Sequence, residues 1–259
     1  MQEKSLESII DVNVHLAKSA YGPQQSAGAL LRSMDKSGVQ ISLVSCFTPP
    51  DLSFERGNRE IDSAVREHPT RLRGLVRVDP RQYGSRNVLK KFLQKKSFVG
   101  ISLNPFEQSF KVNDPLVRPV YELAEESDSP VMLESGYPVV SLPLQIAEVA
   151  REFRKVDFIM THAGQLLASG QSEADSFRAV VDYPNIYCET SQIILSGVGS
   201  FIEQVMHSRK NGSKHRIMFG SNAPQGELSV ELMRVTEAAI SDNEKRLVLS
   251  KNGKKLFKL

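Results

Sequence analysis

Short apolar runs rich in β-branched residues alternate along this chain with longer stretches whose apolar residues recur at helical spacing. The runs cover residues 8–15 (SIIDVNVH), 39–47 (VQISLVSCF), 72–80 (LRGLVRVDP), 98–105 (FVGISLNP), 130–136 (PVMLESG), 157–164 (DFIMTHAG), 185–191 (NIYCETS) and 216–224 (RIMFGSNAP). Each is nearly continuous in apolar side chains, as strands buried on both faces must be. Between them, residues 24–37 place Ala27, Leu30, Leu31 and Met34 along one helical face, and Gly38 follows as a stop. Residues 58–68 carry Ile61, Ala64 and Val65 ahead of Pro69, and residues 115–127 open with a proline at the first helical position. Residues 142–155, 198–208, 227–240 and 243–257 continue the theme.

Strand and helix therefore alternate eight times. The spacing is roughly 25 to 35 residues, the size of one βαβ step. This pattern predicts an α/β fold whose parallel sheet closes into a (β/α)8 barrel, the TIM barrel. An open doubly wound sheet would need a glycine-rich phosphate turn after the first strand, and VNVHLAKSAYG is not one. No linker or break in composition divides residues 1–259, so a single domain is expected.

Composition narrows the class. The 259 residues are 40% hydrophobic and 24% charged, ordinary for a globular protein and wrong for a disordered chain, a coiled coil or a membrane bundle. No apolar run approaches the ~18 residues that span a bilayer. The opening MQEKSLES lacks the apolar core of a signal peptide, so a cytoplasmic location without a membrane partner is expected. The net charge of +3 is too small to argue for a nucleic-acid partner. A homo-oligomer is compatible with the sequence. Cys46 and Cys188 sit inside strand-like runs and read as buried, reduced hydrophobes. The basic stretches at residues 90–96 and 208–216 read as a solvated helix face and a polar loop. The Asn211-Gly212-Ser213 sequon has no secretory context.

Chemistry in such a barrel lies at the carboxyl ends of the strands. The polar residues there are Asn13 and His15, Ser45, Arg77 and Asp79, Ser102 and Asn104, Glu134, His162, Glu189 and Ser191, and Asn222. Buried polar groups are costly unless paired, so a ring of them points to a site. Of the five histidines, His15 and His162 fall at strand ends, whereas His68, His207 and His215 lie in polar surroundings. Two readings of the pair stand side by side: metal or acid–base work, or hydrogen-bonded core histidines. Arg77 and Asp79 read either as a carboxylate-binding arginine held by an acid or as a rim ion pair. Tyr21, Phe106 and Tyr137 follow three strands and could wall a pocket or simply pack their loops. Cys46 has no histidine placed beside it by sequence and reads as packing, not a nucleophile.

The stretches IIDVNVHLA, NREIDSAVREHPTRLRGLVRVDP, GISLNP, PVMLESG, FIMTHAGQ, NIYCETSQ, FGSNAP and NGKKLF are collinear over essentially the whole chain. In that order they resemble the amidohydrolase superfamily, in its branch of TIM-barrel metal-dependent hydrolases and decarboxylases of small carboxylated compounds. The resemblance implies a metal site built from Asp-x-His-x-His on the first strand, a histidine on the fifth, a histidine on the sixth and an aspartate on the eighth. Here Asn13 replaces the first of the paired histidines, Glu134 the fifth-strand histidine and Asn222 the eighth-strand aspartate. His15 and His162 match. The fourth-strand GxKxHP pattern becomes Gly100, Ser102, Asn104 and Pro105.

These changes have definite chemical meaning. A neutral amide at Asn13 is a poorer ligand than imidazole. Asn222 cannot take a proton at neutral pH, so the water-activating role of the family's aspartate is removed. By resemblance, Asn13, His15, Glu134 and His162 form the metal positions. Asn222, Asp79 and Glu189 are the catalytic candidates, and Arg77, Asn104, Tyr21 and Tyr137 the substrate-binding ones. Three readings follow. One is a barrel that binds a small carboxylated or amide-type molecule with lost or altered chemistry, holding one divalent zinc, manganese or iron ion weakly or not at all. The second is an active hydrolase or decarboxylase with a metal on His15, Glu134 and His162 and a base at Asp79 or Glu189. The third is a glycosidase-like pairing of Glu134 with Glu189, disfavoured because no carboxylate ends the fourth strand.

Overall fold

The apolar runs become strands in the computed structural model, which describes residues 8–165, 170–193, 197–208, 210 and 212–259. The first seven residues, together with Arg209 and Asn211 of the basic stretch and sequon, lie outside the described residues. The strands are β1 (Ile9–Lys18), β2 (Gln24–Gln25), β3 (Val39–Cys46), β4 (Leu72–Arg77), β5 (Phe98–Leu103), β6 (Val131–Leu133), β7 (Phe158–Met160), β8 (Ile186–Glu189) and β9 (Ile217–Met218). They form one sheet in the order β2-β1-β3-β4-β5-β6-β7-β8-β9. Every pairing is parallel except that of β1 with β2.

The sheet closes where residues 219–223 run beside β1. Val12 N–H donates to Phe219 O over 3.0 Å, Asn222 N–H to Asn13 O over 2.8 Å and His15 N–H to Ala223 O over 2.8 Å. The fold is the (β/α)8 TIM barrel. Helices α1 (Ala27–Ser37), α2 (Phe54–Glu67), α3 (Ser85–Leu93), α4 (Arg118–Glu126), α5 (Pro143–Glu152), α6 (Gly170–Asp182), α7 (Val198–His207) and α8 (Leu228–Thr236) follow the successive strands. Among the described residues no helix is long and apolar enough to cross a membrane.

Three local departures from the sequence pattern have physical causes. Residues 24–25 pair antiparallel with Ala17 and Lys18 of β1, so α1 starts only after Ser26, whose Oγ accepts the Ala29 N–H. The eighth run forms a ladder only over Ile217–Met218, and its remainder supplies the closing bonds just described. The helix expected over residues 243–257 is divided into Asp242–Arg246, a π-turn at Leu247–Lys251 and Asn252–Leu256. Beyond the wide turn, Asn252 Nδ2 donates to Lys214 O and Ile217 O. A side chain at Gly253 would meet Val12 at 3.1 Å, a tight contact that glycine avoids where this helix approaches the barrel floor.

Two apolar layers position the site. The larger lies between strands and helices. The smaller fills the barrel interior with Ile10, Val12, Leu43, Leu75, Met132, Ile159 and Met218, and Phe257 closes its floor. Side chains alternate across a strand, so a residue two places beyond an interior one faces the mouth. Leu43 thus predicts Ser45, Leu75 predicts Arg77 and Met132 predicts Glu134. On β1 the register shifts between Asp11 and Val14. That extra residue reverses the alternation: Ile10 and Val12 fill the interior, Val14 and Leu16 join the outer layer, and His15 turns into the mouth.

Candidate active site

A cavity of about 610 Å³ opens at the carboxyl ends of the strands. Eight of the expected residues line it: His15, Tyr21, Arg77, Asn104, Phe106, Glu134, Tyr137 and Asn222. Phe106 stacks on Tyr137 with ring centroids 4.3 Å apart, forming an aromatic wall that the strand-end pattern anticipates. Asn13, His162 and Glu189 are buried and lie behind this surface, not on it.

His162 sits where β7 ends. It and Ala163 adopt left-handed backbone angles, with φ of 54° and 46°. Such a conformation costs about 1–2 kcal/mol per residue. The Glu189 carboxylate helps to hold it, because Oε1 accepts the His162 backbone N–H at 2.8 Å. The same carboxylate accepts Ser191 Oγ–H at 2.8 Å, Ser191 N–H at 2.7 Å and Asn13 Nδ2–H at 3.2 Å. Space for it comes from Gly220, since a Cβ there would lie 2.1 Å from Glu189 Oε2.

Both ring nitrogens of His162 face acceptors. Nε2 lies 2.8 Å from Glu134 Oε1, and Nδ1 lies 3.1 Å from Ser191 O. Ser191 Oγ, which spends its own hydrogen on Glu189, stands 2.9 Å from Nδ1. A ring that donates from both nitrogens is an imidazolium. Burial opposes that charge, but the Glu134 carboxylate outweighs it and pushes the His162 pKa up to about 9. Burial likewise opposes charge on Glu134, yet His162 holds that carboxyl below its ordinary range. Glu134 Oε2 also accepts a 3.3 Å bond from Thr161 Oγ1.

His15 is the opposite case. Its Nδ1 lies 2.9 Å from Ser45 Oγ, and its ring packs 5.1 Å from Phe47. Burial, and then the Arg77 charge, depress its pKa to about 4, so the ring is neutral at pH 7. The two histidines expected to act alike thus carry different charges.

Arg77 departs from its expected partner. Its Nη2 donates to Glu107 Oε2 at 2.5 Å and to Thr48 Oγ1 at 2.9 Å, and its Nη1 to Cys46 O at 2.9 Å. Asp79 pairs instead with Arg81, Nη2 to Oδ2 at 2.9 Å, and borders a separate depression beside Phe54 and Tyr83. β4 ends at Arg77, so the strand alternation that would put Asp79 on the same face no longer holds there, and the turn at Pro80 directs Asp79 to Arg81. Asp79, expected as a candidate catalytic base, is therefore not among the residues that line the cavity. Glu107, Gln192 and Gln225 line the cavity without having been singled out by sequence. They lie on loops, where no periodicity marks them.

The remaining strand-end groups serve the scaffold or stay open. Asp11 accepts Ser221 N–H at 2.9 Å and Ser221 Oγ–H at 2.6 Å, bridging β1 to the closing segment. Asn104 Oδ1 accepts Glu107 N–H at 3.0 Å and shapes the loop after β5. Asn222 Nδ2 donates to Gln192 Oε1 at 2.8 Å, and its side chain also reaches the His15 ring. Arg77 Nε is buried and unpartnered. Cys46 and Cys188 are buried and unbonded, and burial pushes the Cys46 thiol up to about 12.

A TIM barrel with a polar mouth of this kind defines a class of protein rather than an activity. The amidohydrolase family model matches residues 10–259, and the chain belongs to that family. No curated protein matches it. Solved structures share its fold at low identity. The 5-carboxyvanillate decarboxylase of Sphingomonas paucimobilis is 14% identical with a TM-score of 0.76, covering 98% of this chain and 100% of that one. The 2,6-dihydroxybenzoate decarboxylase of Rhizobium is 16% identical with a TM-score of 0.73, over 97% and 99% of the two chains. A dihydroxybenzoic acid decarboxylase from a Polaromonas species, solved with manganese and the inhibitor 2-nitroresorcinol, is 17% identical with a TM-score of 0.73, over 97% of each chain.

Proposed function

We propose that this protein is an amidohydrolase-family barrel that takes a small molecule, of the carboxylated or amide type, into its mouth without a metal ion and without the family's hydrolytic chemistry. The observation that carries this reading is the direct contact of His162 Nε2 with Glu134 Oε1, at 2.8 Å. A metal ligand needs a free nitrogen lone pair. At His162 the nitrogen that would face an ion, Nε2, lies instead against the Glu134 carboxylate, and Nδ1 lies against Ser191 O. Asn13 aims its amide N–H at Glu189, and among the described residues no group of three or more His, Cys, Asp or Glu side chains is arranged to hold a metal. The residues present therefore do not fit the ion that accompanies the Polaromonas structure. Asn222 cannot serve as the proton acceptor for water.

Small-molecule binding is supported by the cavity itself. At about 610 Å³ it falls within the range of ligand pockets, roughly 300–1,000 Å³. The solved neighbours named above are enzymes of hydroxylated aromatic acids, which supports a planar ligand of that size. Metal titration tests the reading. The untagged protein, incubated with manganese or zinc and desalted, should retain well under one equivalent. Asn13→His, Glu134→His and Asn222→Asp together should raise retention. A full equivalent held by the unaltered protein would instead favour the metal-dependent hydrolase or decarboxylase with His15, Glu134 and His162 as ligands.

A further inference from the structure

Charge is divided between the two ends of the barrel. Residues 68–71, 94–97, 127–130, 153–157, 183–185 and 208–216 lead into strands β4 to β9 at their amino ends, and the closing residues 251–259 run beneath the same end. Together these segments hold 13 of the 33 Lys and Arg residues and two of the 30 Asp and Glu residues, a net charge of +11 against −8 on the rest of the chain. Helix C-termini favour cations in their last turn. Nine of the 13, however, lie in the connections, past those turns.

The closing residues carry a stripe of this charge across the barrel floor. Asn252 ties them to the start of β9 through Lys214 O and Ile217 O, and Gly253 lies against Val12 of β1. Lys258 Nζ then reaches Asp128 just before β6, on the far side of the barrel. Lys251, Lys254, Lys255 and Lys258 recur at helical spacing and are exposed, while Asn252, Gly253 and Phe257 are buried behind them. Leu256 and Leu259 pack against the interior layer. Lys210 and Lys214 are exposed alongside. Burial, and then the Lys214 and Lys255 charges, lower the His215 pKa, so the two segments share one field. Lys155, Lys210 and Lys258 pair with Glu125, Asp182 and Asp128, all as exposed ion pairs of the weak kind. Among the described residues Lys96, Lys214, Lys254 and Lys255 form no ion pair, and all four are exposed. Like charges at i, i+4 repel one another on a helix, so the stripe is a cost that folding does not require.

The make-up of the face selects its partner. Its stripe is built of lysines, compact hydrated charges without the planar fork that suits bases and phosphates. The exposed aromatic residues Tyr21, Tyr83 and Phe106 all lie outside these segments, so no platform stacks a base. The helix lies flat on the floor and cannot enter a groove. Protein interfaces are depleted in lysine and need an apolar core, whereas the leucines here turn to the barrel. A broad, planar anion fits best, and clusters of about four to eight cations adsorb to anionic lipid headgroups. We propose that the amino face of the barrel, centred on Lys251, Lys254, Lys255 and Lys258, docks on an anionic phospholipid bilayer and leaves the mouth cavity open to solution. Adsorption by charge needs neither an apolar span nor a signal peptide, the features on which the expectation of no membrane partner rests. The proposal is independent of the metal-free reading of the mouth.

Vesicle sedimentation of the full, untagged chain is the test. At about 0.1 M salt, where the Debye length is about 10 Å, the protein should pellet with vesicles of one part phosphatidylserine to two parts phosphatidylcholine, and not with phosphatidylcholine alone. Salt at about 1 M, which shortens that length to about 3 Å, should release it. A lysine near an anionic surface is worth about fivefold in partition, so Lys254→Gln together with Lys255→Gln should weaken binding by about 25-fold. Lys18→Gln together with Lys111→Gln removes the same charge at the carboxyl end of the barrel and should change binding by about twofold or less. All four lysines are exposed, and circular dichroism melts check the fold of both variants. Equal pelleting with the two kinds of vesicle, or equal losses in the two double variants, overturns the proposal. Failure to pellet with the anionic vesicles at low salt also overturns it, and a gel shift of RNA under those conditions would assign the face to nucleic acid instead.

Discussion

His162 and Glu134 form a buried ion pair, Nε2 to Oε1 at 2.8 Å, across the ends of two adjacent strands. The pair joins a histidine that the family pattern keeps to a carboxylate that stands where the pattern has a second histidine. Its consequences run from stability to ligand choice.

Removing one partner of a buried pair leaves the other charge unpaired, which costs more than the pair itself contributes. Glu134→Ala should therefore destabilise the protein by about 3–5 kcal/mol in urea unfolding at pH 7. A change within about 0.5 kcal/mol, the range of surface substitutions, would show the pair to be solvated.

The pH dependence has a definite sign. The His162 pKa is raised from 6.5 to about 9, so the folded state holds this proton more tightly than the unfolded chain. Its stabilisation is fully present below pH 6.5 and is lost as pH rises through 9. His15, lowered from 6.5 to about 4, contributes stability above pH 6.5 that is lost as pH falls towards 4. Urea midpoints of His162→Gln should lack the alkaline decline of the parent between those limits. An unchanged alkaline decline in the variant would assign it to other groups.

Backbone space around Glu189 is equally specific. Gly220→Ala places a Cβ at 2.1 Å from Glu189 Oε2, an atom already fixed by its bond to Ser191 N–H. The carboxylate must move, and with it the support for the left-handed turn at His162. Overpacking of this kind costs about 1–3 kcal/mol, and the loss of backbone support adds to it. Thermal melts should report it as a clear drop in Tm, and a neutral result would mean that the Glu189 carboxylate has an alternative seat.

Asp79 provides the negative control. It pairs with Arg81 outside the cavity, so Asp79→Asn should leave the affinity of a ligand of the mouth cavity within about twofold of the parent, well under the 1.4 kcal/mol of a tenfold change. A larger loss would place Asp79 in ligand binding after all.

Much of this architecture is legible in the chain. Period-two alternation from Leu75 to Arg77 and from Met132 to Glu134 is visible in the residues themselves, and both side chains reach the mouth. The extra residue on β1 is not legible, because nothing in DVNVH distinguishes a bulged strand from a regular one. The separate charges of His15 and His162 also escape the sequence. They depend on burial of both rings, with Arg77 near one and Glu134 on the other, partners distant in the chain. Asp79 looked like Arg77's partner because the two are neighbours in sequence, whereas a strand sends residues at even spacing to one face until a turn intervenes. Glu107 fills that place from a loop, where side-chain direction follows no period.

An imidazolium at His162, bound to Glu134, would stand where a metal ligand would. Nitrogen-15 NMR of the histidine rings at pH 7 measures it directly, before and after manganese-free zinc is added. One buried ring should be protonated on both nitrogens, unshifted by zinc and absent in His162→Gln. A His162 ring with one unprotonated nitrogen that moves on addition of one equivalent of zinc would contradict it.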